Sequence, residues 1–271
     1  MLHLAEARLT LAPLTNLDVG ALAAAAIAYV AFRVRALTAG GALAAFAVGT
    51  AAFASFAWPG AAVLLAFFVS SVVLSRLGRV RKDRLALLEK EGPRDAGQVL
   101  ANGGIATVCA LIALFGNPHY ATAFAGAFAA ANADTWGTEI GTLAGQTPRS
   151  ILTLRPVAAG LSGGITFAGT VAEIAGAALV AAVAQSTGLC ALWPVLAGGI
   201  AGALADSVLG ASLQALRWCP QCRRPCETEP HGCGANTTLV RGIAWVNNDA
   251  VNLLATAIGA AVAFAVAARM G

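Results

Sequence analysis

AFAGAFAAANADTWGTEIG, residues 123–141, decides how this chain is read. A run of alanine, glycine and phenylalanine leads without a break into two carboxylates, two threonines and an asparagine. Charge at the end of so apolar a segment is costly in lipid, and such residues usually mark a functional site. The stretch reads as a membrane-spanning segment that carries chemistry near one face of the bilayer.

Composition supports this outward from the stretch. The chain has 271 residues, 58% of them hydrophobic and only 11% charged, with a mean hydropathy of +0.75. A soluble domain carries roughly 25% charged residues, so a water-exposed surface cannot be covered here. Thirty glycines and abundant alanine suit closely packed membrane helices, whose backbones approach through small residues. The expected fold is all-α: one integral membrane domain over residues 1–271, a polytopic bundle of about eight helices.

The eight candidate spans are 17–32, 38–57, 60–76, 98–116, 119–141, 163–185, 189–213 and 247–269, each near the ~20 residues a bilayer needs. Three breaks are short and uncharged, at Trp58-Pro59-Gly60, Gly116-Asn117-Pro118 and Gln185 to Gly188. The other four hold 15 of the 17 Lys and Arg residues. If the spans alternate, all four basic breaks share a side, which the positive-inside rule makes cytoplasmic. The expected location is therefore the cell membrane, multi-pass, with the site facing the cytoplasm. The first 20 residues lack the pattern of a signal peptide. The charged stretch 76–97 reads as a cytoplasmic helix ending near Gly92-Pro93.

Five acids lie in or at the ends of apolar segments: Asp134, Glu139, Glu173, Asp206 and Asp249. Asp134 and Glu139 are five residues apart, roughly 140° around a helix. They share a face only if the helix opens, which Gly137 and Gly141 would permit. Thr138 follows Asp134 by one turn and Thr135 precedes Glu139 by one. With Asn132 they form a cluster of hard oxygen ligands suited to Mg²⁺ and substrate phosphates. Asp206 shares a face with Gly202 and Gly210, which turns its carboxylate into the bundle. ALADSVLGA echoes ANADTWGTEIG and hints at two half-sites facing each other. Glu173 reads as a cavity-lining or hydrogen-bonding acid rather than a catalytic one.

Further polar groups join these. Asn247, Asn248, Asp249 and Asn252 open the last span, more than one N-cap requires. Asn102 heads a Gly-rich turn that can present N–H groups to phosphate. Arg149, Arg155 and Ser162, around RPVAAGLSGG, can bind an anion or serve as positive-inside determinants. Within the loop 214–246, Cys219, Cys222, His231 and Cys233 have the spacing of a structural zinc site, with Cys226 as an alternative ligand. There is no GxxxxGK[ST] sequence, which excludes a soluble P-loop, and with three histidines no Ser-His-Asp set is convincing.

Taken together, NADTWGTEIG, LRPVAAGLSGG, GALADSVLGA, the CPQC…HGC loop and WVNNDAVN resemble a known integral-membrane family. It was once labelled a domain of unknown function, and its members are phytyl-phosphate and prenyl-phosphate kinases. The resemblance also takes in KDRLALLEKEGPRDAGQVLANGG and runs from about Arg76 to Leu254. It implies phosphoryl transfer from a nucleoside triphosphate, CTP above all, to an isoprenoid monophosphate. On that basis Asp134, Glu139 and Asp206 hold Mg²⁺, Asp249 is a further ligand or water anchor, and Arg149, Arg155 and Lys82 bind phosphate. The expected partners are the lipid phosphate, the nucleotide and membrane lipids, not nucleic acid. Two competing readings remain, a CTP-dependent lipid cytidylyltransferase and an ion-coupled transporter.

Overall fold

A computed structural model describes residues 2–85 and 92–270. The described residues form seven helices: α1 (Leu2–Arg33), α2 (Ala39–Leu85), α3 (Ala96–Ala113), α4 (His119–Ala144), α5 (Phe167–Ser186), α6 (Leu192–Ser212) and α7 (Asn248–Met270). Six of these (all but α4) are long and apolar enough to cross a membrane.

The difference between seven helices and eight expected spans lies in α2. Its 47 residues break at Ala57 (φ 50°, ψ −137°), just before Pro59. Proline has no N–H and its ring clashes with the preceding turn, so a helix cannot run straight through it. The two arms fold back on each other. A Cβ built on Gly49 would lie 3.8 Å from Leu64. At the other end, Arg76 donates to the Val34 carbonyl at 2.9 Å and the Thr38 N–H donates to Arg94 at 3.0 Å. Residues 34, 38, 76 and 94 thus meet on one side, and the Ala57 turn lies on the other. Counted this way the described residues form eight helical arms, against about eight expected spans. Beyond Leu85, the expected helix over 76–97 enters residues 86–91, outside the described residues.

α4 is the centre of the bundle. It packs against both α2 and α3 on one flank and α5, α6 and α7 on the other, and every residue from Thr122 to Ala133 is buried. Its low hydropathy follows from this position: a helix walled by protein needs small residues, not lipid-soluble ones. A methyl added at Gly199 would lie 2.9 Å from Ala129, and one added at Gly259 would lie 2.7 Å from Ala130. Lipid-facing residues are instead large and apolar, such as Leu22, Leu43 and Phe115. Trp58 and Trp193 flank the far side and Trp245 the near side, where amphipathic rings suit a membrane boundary.

The connections on the near side carry short strands. β1 (Arg149–Ser150) pairs with β2 (Gly164–Ile165). β3 (Leu216–Cys219), β4 (Arg224–Cys226) and β5 (Thr238–Arg241) form an antiparallel sheet in the order β4-β3-β5. Sequence patterning had suggested only a loop there, because strands this short carry little periodic signal.

Candidate functional site

Caps set where the polar ends of the helices start. Asp95 and Gln98 form a reciprocal capping box on α3, with bonds of 2.9 and 3.1 Å. Thr166 caps α5 by accepting from the Gly169 N–H at 3.0 Å. Asn247 caps α7 by accepting from Ala250 N–H at 3.0 Å. One asparagine of the NNDAVN cluster is therefore a cap, and the next polar residues are left to face inward.

They face a cavity of about 1170 Å³ on the basic side of the bundle. Its wall includes Asn102, Asp134, Thr135, Thr138, Glu139, Ser162, Asp206, Asn248 and Asp249 from the sequence reading. Glu173, expected to line a cavity, and Asn252 of the last span's polar cluster are also on the wall, together with Arg94, Gln98 and Glu227, to which the sequence reading gave no role.

Asp134 on α4 and Asp206 on α6 turn their carboxyl groups toward each other, within hydrogen-bonding contact. Glu173 of α5 and Glu227 lie within electrostatic reach of the same pair. Asp206 is only 9% exposed, and its Oδ2 is buried with no hydrogen-bond partner. Facing carboxylates that are desolvated repel unless a proton or cation lies between them. Hard oxygen donors with unused capacity fit Mg²⁺, which takes one or two carboxylates plus phosphate and water.

The expectation that α4 opens at its glycines is corrected. α4 is helical through Ala144, and Asp134 and Glu139 keep different directions. Glu139 instead accepts from Ser75 Oγ of α2 at 2.9 Å and lies beside the Arg94 guanidinium. Both acids still line the cavity, because it wraps around the end of α4. Gly137 serves close approach: a Cβ there would lie 2.5 Å from Glu173 Cγ and 2.8 Å from its Oε1. Removing that side chain is what lets α5 bring Glu173 to the acid pair.

Three expected residues are placed elsewhere. Asn132 is fully buried behind the cavity wall. Its Nδ2 donates to the Gly176 carbonyl at 2.8 Å, and its Oδ1 accepts from Ser70 Oγ at 2.9 Å, tying α4 to α5 and α2. Arg149 turns its guanidinium to the Leu154 carbonyl at 2.8 Å. Neither Arg149 nor Arg155 lines the cavity. The Lys82 side chain lies outside the described residues. The cations on the cavity wall are Arg35, Arg76, Arg94 and Arg217, and the Arg94 backbone is bonded to Ala36 and Thr38. In the sequence Arg94 stood out only as one of seven basic residues in a charged stretch.

Beside the cavity, Cys219, Cys222, His231 and Cys233 bring one ligand atom each to within 4.8 Å of one another. Cys219 and Cys233 sulfurs are 3.6 Å apart, and His231 Nδ1 is 3.1 Å from Cys233 and 3.7 Å from Cys222. Tetrahedral zinc with bonds of about 2.3 Å to sulfur separates two sulfurs by about 3.8 Å, so the donor set fits. The hydrogen bond from His231 pulls the Cys233 thiol down to about 6, while its sulfur neighbours, Cys233 first, push Cys222 up to about 11. A thiol already inclined to ionise is the form a metal takes. Cys226 is outside this group.

The integral membrane protein family DUF92 matches residues 22–260. The chain belongs to that family. It is 33% identical over 217 residues to Protein PGR of Arabidopsis thaliana, covering 69% of this chain and 74% of that one. It is 33% identical over 198 residues to membrane protein MJ0933 of Methanocaldococcus jannaschii, covering 71% and 69%. It is 27% identical over 207 residues to Protein VTE6, chloroplastic, of Arabidopsis thaliana, covering 72% of this chain and 55% of that one. No solved structure matches. Membership extends the resemblance across the first helices, which the separated motifs did not reach.

Proposed function

We propose that this membrane protein moves the γ-phosphoryl group of a nucleoside triphosphate, CTP above all, to an isoprenoid monophosphate of phytyl or farnesyl type. The observation that carries the reading is the Asp134–Asp206 pair inside one cavity with the Arg94 guanidinium. Phosphoryl transfer asks for positioning and charge neutralisation more than for covalent chemistry, and this is a site of opposed charges. The family resemblance supplies the lipid class. The basic loops on the cavity side orient it to the cytoplasm by the positive-inside rule.

An oxygen of the lipid monophosphate attacks the γ-phosphorus. The bond from that phosphorus to the β,γ-bridging oxygen breaks, and CDP leaves with the electron pair. The attacking phosphate is already an anion, so no strong base is required. Asp134 and Asp206, with Glu139 and Asp249 at the edges, would hold Mg²⁺, which supplies neutralisation of the triphosphate. Arg94 steadies the lipid phosphate, and Asn102, Asn248, Thr135 and Thr138 offer polar atoms to the rest. Zinc in the Cys/His cluster would be structural, since all four positions are filled by the protein.

Purified protein incubated with Mg²⁺, labelled CTP and a panel of prenyl phosphates tests this. CDP and a prenyl diphosphate are expected. Release of pyrophosphate with a CDP-lipid would identify a cytidylyltransferase instead. Ion movement across liposomes without CTP consumption would sink the kinase reading in favour of transport.

A further inference from the structure

The polar cavity has an apolar continuation. A narrow cleft of about 90 Å³ runs between α1, both arms of α2 and α3. Arg94, Gln98 and Asn102 belong to its wall and to the wall of the polar cavity, so the two meet there. From that junction the cleft runs toward the far side of the bundle, past small residues such as Ala28 and Ala45, to Phe53 packed against Gly20. Along α1 it reaches from Ala31 to Gly20, roughly 16 Å at 1.5 Å per residue. Ile27, 41% exposed, lies on its wall, so the cleft opens sideways to lipid.

We propose that this cleft holds the hydrocarbon chain of a single-chain lipid phosphate, with the phosphate at Arg94. The identity of the headgroup rests on the kinase reading above; the chain site rests on the cleft. Beyond the junction its wall is apolar, and the junction carries a guanidinium that stays cationic at any working pH. An amphiphile with an anionic head and a slender tail matches both ends.

The dimensions set what is read. A water-sized group needs about 10–15 Å³, so the cleft takes roughly six to nine such groups, between one and two isoprene units. The remainder of a longer tail leaves beside Ile27 into the bilayer. Chains beyond that length are therefore bound alike, whereas dimethylallyl phosphate binds about tenfold or more weakly, since each buried methylene adds to affinity.

The test is binding of labelled farnesyl phosphate to the full chain in detergent, without nucleotide. Ala45→Phe and Ala23→Phe fill the cleft from opposite walls and are each expected to weaken binding by about tenfold. Leu43→Phe, at a 72% exposed lipid-facing position, is expected to bind as the parent does. Thermal unfolding identifies any variant that fails to fold, and the opposite-wall variant then decides. The proposal is overturned if a folded wall variant binds like the parent, or if the parent binds no farnesyl phosphate. Absence of CTP turnover with cleft-sensitive binding retires the kinase reading and keeps the cleft. Turnover of farnesyl phosphate untouched by both wall substitutions does the reverse.

Discussion

Ser162 donates both its backbone N–H and its hydroxyl to the two carboxylate oxygens of Glu227, at 2.8 and 2.9 Å. Gln214 Nε2 adds a third bond to the same carboxylate, also at 2.8 Å. Glu227 follows Cys226 in the strand-bearing loop, so these bonds fasten that loop to the turn before α5 and hold an acid beside Asp206. Ser162→Ala removes the hydroxyl bond, worth about 1.5–3 kcal/mol when a charge is involved. Limited proteolysis of the segment 213–247 is expected to quicken in Ser162→Ala and more so in Glu227→Ala. Equal cleavage rates would show that the clasp is not holding the loop.

Asp134→Asn and Asp206→Asn separate chemistry from stability. Each removes a direct metal carboxylate under the proposed mechanism. Loss of an outer partner of a metal site already costs 10–100-fold, so a fall in turnover of about 100-fold or more is expected. Like-charge repulsion across the pair is relieved at the same time, so the unfolding temperature is expected to hold or rise. An Asp134→Asn protein with parental turnover would reject the metal assignment.

Gly137 and Glu173 should behave as one unit. Gly137→Ala places a methyl against Glu173 Cγ, and overpacking of this kind typically costs about 1–3 kcal/mol. Glu173→Ala clears the space, so the double variant is expected to recover most of the lost thermal stability. Additive losses in the double-mutant cycle would mean that the two positions do not meet.

Metal analysis should find one zinc per chain, retained in Cys226→Ser and lost in Cys219→Ser or Cys233→Ser. Chelation is expected to loosen the segment 213–247 to proteolysis while leaving the bundle's helical signal in place. Zinc retained in Cys219→Ser but lost in Cys226→Ser would reassign the ligand set.

Glu229 gives the loop a pH dependence of known sign. Hydrogen bonds from the Thr237 hydroxyl and N–H, then the Arg217 guanidinium at 3.0 Å, hold its carboxyl below the usual range. A depressed folded value contributes stability that is fully present above the unfolded value of about 4.3. That contribution fades as pH falls through the folded value. Proteolysis of the loop with an acid-tolerant protease should therefore accelerate below about pH 4. In Glu229→Gln that step should be missing, and its persistence would place the titration elsewhere.

Local patterning reached far in this chain. Eight apolar stretches, their basic connections and the Cys/His spacing are each legible within a short window, because span length, charge placement and ligand reach are short-range properties. Pro59 announced the turn inside α2, and the face shared by Gly202 and Asp206 announced that this acid points inward. The echo between ANADTWGTEIG and ALADSVLGA hinted at two facing half-sites, but which acids complete the group was not legible. Asp134 finds Asp206, and Glu173 joins them, because Gly137 and Gly202 let α4, α5 and α6 approach closely, and helix pairing leaves no periodic trace in sequence.

By itself, then, the sequence determined an integral membrane bundle with polar chemistry on its basic side and a four-ligand Cys/His loop beside it. Only the tertiary structure decided that Asn132 braces the core, that Arg149 and Arg155 stay off the cavity wall, and that Arg94 stands where cavity and cleft meet. Lipid drives each segment into a helix whatever its neighbours. The choice of neighbours falls to van der Waals fit between small residues and to a few interhelical hydrogen bonds, and those exist only once the helices have come together.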